Sequence, residues 1–117
     1  MKKILLDTNF IMTCLKFKID LFSGINRICH FKYNIFILDK SIEELKKLKS
    51  KLSLGLIEKF KIEIIATNEN LDVDSLILKI SDKDTIVATQ DKELKRSLKV
   101  KGIKVLVIRQ KKYLKII

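Results

Sequence analysis

Short apolar runs, each stopping abruptly on an acid or a hydroxyl, constrain this chain most. Ile4-Leu5-Leu6 ends on Asp7, Ile35-Phe36-Ile37-Leu38 ends on Asp39, and Ile86-Val87-Ala88 ends on Thr89-Gln90-Asp91. A run without polar alternation fits a strand covered on both faces, as in the middle of a parallel sheet. Ile62 to Ala66 and Val105 to Ile108 complete a set of five such strands, the fourth beginning at Thr85. Helical segments separate them, so the expected fold class is α/β, a three-layer α/β/α sandwich.

The helices show themselves by spacing and caps. Phe10 to Cys14 begins one, and Leu21, Phe22, Ile25 and Ile28 form the apolar face of another that starts near Asp20. Ser41 opens a third, with Ile42, Leu45, Leu48 and Leu52 on one side and lysines on the other. A following helix runs to about Phe60, and a short amphipathic one carries Leu76, Ile77 and Ile80 after Asp74. Lys92 to Lys101 is a basic helix that stops at Gly102, a fitting C-cap. Tyr33-Asn34 is read as a turn and Arg109 to Ile117 as a short basic tail.

Parallel strands place all their C-terminal ends on one edge, where ligands of open α/β sheets bind. In the doubly wound order 3-2-1-4-5, strands one and four are neighbours. Asp7 and Asp91 then flank one crevice, and Glu44 reaches it from the helix after the adjacent strand. Asp82 and Asp84 precede the fourth strand and fall at the opposite pole. Each acid also has a structural reading. Asp7, Asp74 and Asp91 suit helix N-caps, and Ser41 with Glu44 has capping-box spacing. It is their number at one edge that points to chemistry. Carboxylates gathered in one crevice repel one another and stay ionised beside a cation. An all-oxygen set suits Mg²⁺ or Mn²⁺, whereas His30 and the distant Cys14 and Cys29 make a poor zinc site.

Charge points the same way. Of a formal net charge of +11, residues 91–117 carry +8, from ten basic and two acidic side chains. A basic C-terminal third suits a polyanionic partner such as nucleic acid, although lysines also serve as a solvated face. An acidic hole within a basic surface suits a phosphodiesterase: lysines hold the backbone while a metal ion activates water. No apolar run approaches the roughly 20 residues that span a bilayer, so no membrane association is expected. No signal peptide is evident, and the two cysteines read as buried thiols of a cytoplasmic protein. The length of 117 residues is that of one domain. Scattered glycines exclude a phosphate-cradling Rossmann loop. Asp7-Thr8-Asn9 and Ala66-Thr67-Asn68 lack the acids of a phosphoacceptor receiver.

Taken in order, Ile4-Leu5-Leu6-Asp7-Thr8-Asn9, Leu38-Asp39-Lys40-Ser41-Ile42-Glu43-Glu44-Leu45, and Ile86-Val87-Ala88-Thr89-Gln90-Asp91-Lys92-Glu93-Leu94-Lys95-Arg96 resemble the PIN-domain ribonucleases. The ending Val105 to Leu114 is similar to that of archaeal, VapC-like members. The resemblance covers essentially the whole chain, residues 1–117, as a single PIN-like nuclease domain. It implies a five-stranded parallel sheet and an Mg²⁺- or Mn²⁺-dependent endoribonuclease that cuts RNA by in-line attack of a metal-bound water.

Carried over, Asp7, Glu44 and Asp91 match the family's acidic positions, with Asn9 and Thr89 supporting them; Asp74 joins them as the fourth expected metal-holding catalytic acid. From the basic C-terminal third, Lys92, Lys95, Arg96, Arg109, Lys111 and Lys112 are the cations expected to hold RNA. The family includes toxins of toxin–antitoxin pairs and nucleases of ribosomal RNA maturation. An antitoxin protein and a homodimer are therefore the partners the resemblance implies besides RNA. Where close relatives show a doubled Asp, this chain reads Asp74-Ser75, so Asp72, Asp74 or Ser75 fills the third acidic position. That departure supports the alternative reading, a catalytically weak scaffold that binds RNA or protein without cutting.

Overall fold

The computed structural model describes residues 1–117. The strands are β1 (Lys2–Leu6), β2 (Tyr33–Leu38), β3 (Glu63–Ile65), β4 (Thr85–Ala88), β5 (Lys104–Arg109) and β6 (Tyr113–Ile116). They form one sheet in the order β3-β2-β1-β4-β5-β6. The first five are mutually parallel, in the expected order 3-2-1-4-5, and β6 is antiparallel to β5. The helices are α1 (Thr8–Lys16), α2 (Leu21–Ile28), α3 (Asp39–Lys47), α4 (Lys51–Lys59), α5 (Val73–Ile80) and α6 (Lys92–Lys101).

Strand side chains alternate between two apolar cores, one on each face. Ile4, Leu6, Ile86, Ala88, Leu106 and Ile108 point into the larger core, beneath α1, α2 and α4. Leu5, Val87, Val105 and Val107 point the other way, toward Leu76 and Ile77 of α5 and Leu94 and Leu98 of α6. This two-sided burial is why the runs carry no polar alternation. Cys14 and Cys29 are free and lie in the larger core, where burial pushes the Cys14 thiol up to about 12.

Three local expectations give way. The stretch read as a basic tail, Arg109 to Ile117, contains β6, so the sheet has six strands rather than five. Gln110 and Lys111 both take left-handed backbone (φ 52° and 56°), and Lys112 N–H donates to Arg109 C=O at 3.0 Å. That is a type I′ geometry, which usually announces itself as Asn-Gly; Gln-Lys conceals it. Tyr33-Asn34 is strand rather than turn, because Lys2 and Lys3 of β1 pair with it, and pairing overrides local preference. Finally, α3 starts at Asp39, two residues before Ser41, so no capping box forms. Asp39 instead accepts from Lys40 N–H, Thr67 N–H and Thr67 Oγ1, tying the end of β2 to the loop after β3.

Candidate active site

Asp7 is positioned by the sheet. Leu6 pairs with Ala88, and the ladder runs one step further: Asp7 N–H donates to Ala88 C=O at 2.9 Å. Asp7 therefore meets Thr89 where β1 and β4 leave the sheet. Its carboxylate, only 5% exposed, accepts from Thr8 N–H and from Thr89 Oγ1, each at 2.8 Å. Burial nevertheless raises its pKa above the ordinary value, against those two bonds and with added repulsion from Asp91.

Thr89 links the centre together. Fully buried, it donates to Asp7, and its oxygen accepts from Asp91 N–H at 3.2 Å. Asn9 Oδ1 accepts from Gln90 N–H at 3.1 Å, and Gln90 Oε1 accepts from Ile108 N–H at 2.8 Å. The loop after β4 is thus pinned to α1 on one side and to β5 on the other.

Three acids from three elements face one cavity of about 440 Å³: Asp7 at the end of β1, Glu44 on α3 and Asp74 in the first turn of α5. Glu44 and Asp74 also line an adjoining cavity of about 380 Å³, whose walls include Lys40 and Lys47. Partial burial and then the charges of Asp7 and Asp74 raise the pKa of Glu44. Asp74 is raised by partial burial, then by Asp7, Asp91, Asp72 and Glu93. These carboxylates feel one another across the cleft.

The capping roles are divided: Asp7 itself caps α1, accepting from Thr8 N–H, as well as facing the cavity. The N-cap of α5 is Asp72, which accepts from Ser75 N–H at 2.8 Å, leaving Asp74 directed at the cleft. With no capping box, Glu44 has no capping duty. Asp91 does cap α6, through Oδ1 to Leu94 N–H at 2.8 Å, and stands beside the cavity rather than in its wall. Asp84 lies at the other pole, 3.5 Å from Lys2.

No three acidic side chains are drawn together tightly enough to cage an ion by themselves. The donor set still fits a hard divalent cation, because every donor is oxygen and Mg²⁺ keeps several waters while binding one or two carboxylates. Two features escaped the sequence. Thr8 Oγ1 is buried against the cavity without a hydrogen-bond partner. Lys40 anchors the loop before α5 by donating to Glu69 C=O at 2.6 Å and Leu71 C=O at 2.8 Å. Nothing in Asp7-Thr8-Asn9 separates an orphan hydroxyl from an ordinary cap, and Lys40 is one lysine among many.

The expected basic side chains lie at, or on elements that follow, the C-terminal ends of β4 and β5, and none lines either acidic cavity. Lys92 and Arg96 on α6, and Arg109, Lys111 and Lys112 at the β5–β6 turn, are exposed, while Lys95 is half-buried. None joins either of the two ion pairs, Lys2–Asp84 and Lys79–Glu69.

A family model described as a PIN like domain matches residues 4–111. Ribonuclease VapC4 of Methanocaldococcus jannaschii is 38% identical over an alignment covering 99% of this chain and 97% of that protein. The rRNA-processing protein fcf1 of Schizosaccharomyces pombe is 33% identical over 90% of this chain, which spans 58% of fcf1. Among solved structures, the PIN domain endonuclease Utp24 superposes with a TM-score of 0.84 at 31% identity, covering 97% of this chain and 90% of that one. With Asp7, Glu44 and Asp74 facing one cavity on this sheet, the family model matching residues 4–111, and VapC4 and Utp24 matching over at least nine-tenths of their own chains, the chain belongs to the PIN-like domain family of nucleases.

Proposed function

We propose that the chain is a divalent-metal-dependent endoribonuclease, working as a single PIN nuclease unit in the cytoplasm. The convergence of Asp7, Glu44 and Asp74 on one cavity, each with its pKa raised, carries the reading. The substrate class comes from the relatives, a ribonuclease and an rRNA-processing protein.

Asp7, Glu44 and Asp74 are the first choice of ligands, with Asp91 alongside; Mg²⁺ and Mn²⁺ are the ions that hard oxygens favour. Such an ion supplies Lewis acidity at a phosphate oxygen and a more acidic bound water. The protein's share is positioning. Thr89 holds the Asp7 carboxylate and Asn9 holds the loop that carries Asp91. Lys92, Lys95, Arg96, Arg109, Lys111 and Lys112 hold the RNA backbone so that water attacks phosphorus in line with the leaving oxygen.

The similarity to VapC4 makes an antitoxin protein and a homodimer part of the proposal, and the similarity to fcf1 makes a ribosomal RNA precursor the rival substrate. The test is cleavage of single-stranded and structured RNA with Mg²⁺ or Mn²⁺, against chelator, for the wild type and Asp7→Asn. Metal-dependent cutting that is lost in Asp7→Asn is expected. Cutting that survives Asp7→Asn rejects the site. Binding without any cutting favours the non-cleaving scaffold suggested by Asp74-Ser75.

A further inference from the structure

A second concavity, of about 300 Å³, lies between α2 and the β5–β6 turn. The turn follows the C-terminal end of β5, which is parallel to β1 and β4, so it rises on the same edge as the carboxylates. Three cations line the concavity, Lys18, Arg27 and Lys112, together with the ring of Tyr113. Its single acid, Asp20, caps α2, accepting from Ser23 N–H at 3.1 Å and Ser23 Oγ at 2.9 Å, and its one negative charge leaves the lining net positive. Neither ion pair of the structure involves any of the three cations. Three like charges therefore share a concavity without a salt-bridge partner, an arrangement that a polyanion relieves.

The neighbourhood reinforces this charge. Phe17, which ends α1, carries Lys16 Nζ at 5.7 Å and Lys111 Nζ at 5.6 Å from its ring centroid. The ring is thus occupied by ammonium groups and is not free to stack, but it holds two more cations at the rim. Tyr113, 39% exposed, is the aromatic face left open. α1 itself begins beside Asp7 and ends at this rim. Its nine residues span roughly 14 Å, with Met12 and Thr13 lining the acidic cleft and Lys18, just past its end, lining the second.

We propose that this cleft is a phosphodiester-binding subsite, holding the RNA chain to one side of the cleavage point, with Tyr113 stacking a base. The inference rests on the nuclease reading, which supplies the RNA. The subsite lets the protein grip a strand beyond its acidic centre, where the carboxylates themselves repel phosphate.

The test is fluorescence anisotropy of a labelled single-stranded oligoribonucleotide, with the full chain and with metal chelated. Arg27→Glu and Lys112→Glu are each expected to weaken binding about three- to tenfold and to flatten the salt dependence by about 0.7 in slope. Tyr113→Ala weakens it about fivefold or more, and Tyr113→Phe does not. Lys83→Glu, at the opposite pole with the same change in net charge, leaves affinity nearly unchanged. Circular dichroism confirms that each variant is folded, and Arg27→Gln and Lys112→Gln replace any that is not. Equal weakening by Lys83→Glu reduces the cleft to a share of net charge and overturns the proposal. So does displacement of the RNA by polyglutamate as effectively as by polyuridylate of matched charge, which makes the cleft a seat for an acidic protein segment. Because nothing is cut under chelation, failure here leaves the nuclease reading standing. A wild type that binds through the cleft yet never cuts refutes only the nuclease reading.

Discussion

Thr89→Val removes a hydroxyl and almost nothing else, which makes it a sensitive probe of the centre. Thr89 is fully buried, so no water takes the place of its oxygen. The lost bond to the Asp7 carboxylate at 2.8 Å is of the charged kind, worth about 1.5–3 kcal/mol. Asp91 N–H loses its acceptor as well, but that residue is half-buried and water replaces part of the loss. The deficit at neutral pH is therefore about 2–4 kcal/mol. Its pH dependence is the sharper signature. The hydroxyl favours the ionised carboxylate, while burial has already raised the Asp7 pKa. Below that pKa Asp7 is protonated, and the deficit shrinks toward the about 0.5–1.5 kcal/mol of a neutral bond. Urea unfolding followed by circular dichroism, with chelator, at neutral and mildly acidic pH reads both quantities. Thr89→Ser keeps the hydroxyl and should show the wild-type pH dependence, at a pH-independent cost of about 1 kcal/mol for the buried methyl it deletes. A Val variant as stable as wild type at neutral pH, or a deficit that grows on acidification, would show that the Thr89 hydroxyl does not support the ionised Asp7 carboxylate.

Other outcomes follow from the same geometry. Asp72→Ala should lower the melting temperature by removing a cap yet leave RNA cleavage in place, whereas Asp74→Ala should abolish cleavage without lowering the melting temperature. The raised carboxylates Asp7, Glu44 and Asp74 favour the fold in their neutral forms, so their contribution is present below their ordinary pKa values and lost as pH rises through the raised ones. The metal-free protein should thus melt higher at mildly acidic than at neutral pH, and Asp74→Asn should narrow that difference. Asp39, with its pKa lowered chiefly by Thr67, acts in the opposite sense, and only as pH falls below its ordinary 3.8. Gly24→Ala should destabilise by about 1–3 kcal/mol in thermal melts, because the added Cβ would lie 2.7 Å from Cδ1 of buried Leu114, where β6 docks on α2.

The parallel core of this fold was legible because burial on two faces leaves an unmistakable pattern: Ile86-Val87-Ala88 has no polar interruption, and the strand lies where that run predicts. Caps located helix starts at Asp20 and Asp91, and Gly102 marked the end of α6 with φ 85°. What escaped depended on partners distant in sequence. β6 is recruited by pairing with β5 through a turn whose left-handed residues are Gln110 and Lys111, neither a usual turn signal. The candidate acids were legible as a set at one sheet edge, but their division of labour was not. Asp72 and Asp74 are two residues apart in similar company, and only the helix start decides which of them caps. Thr8 and Lys40 gain significance solely from what surrounds them.

Whether the acids at this edge hold a divalent ion is read by titration calorimetry with Mn²⁺, with no RNA present. The wild type should bind Mn²⁺, Asp7→Asn and Asp74→Asn should each weaken binding by about tenfold or more, and Asp72→Asn should leave it intact. Unchanged Mn²⁺ affinity in both Asp7→Asn and Asp74→Asn would mean that these carboxylates do not hold the ion.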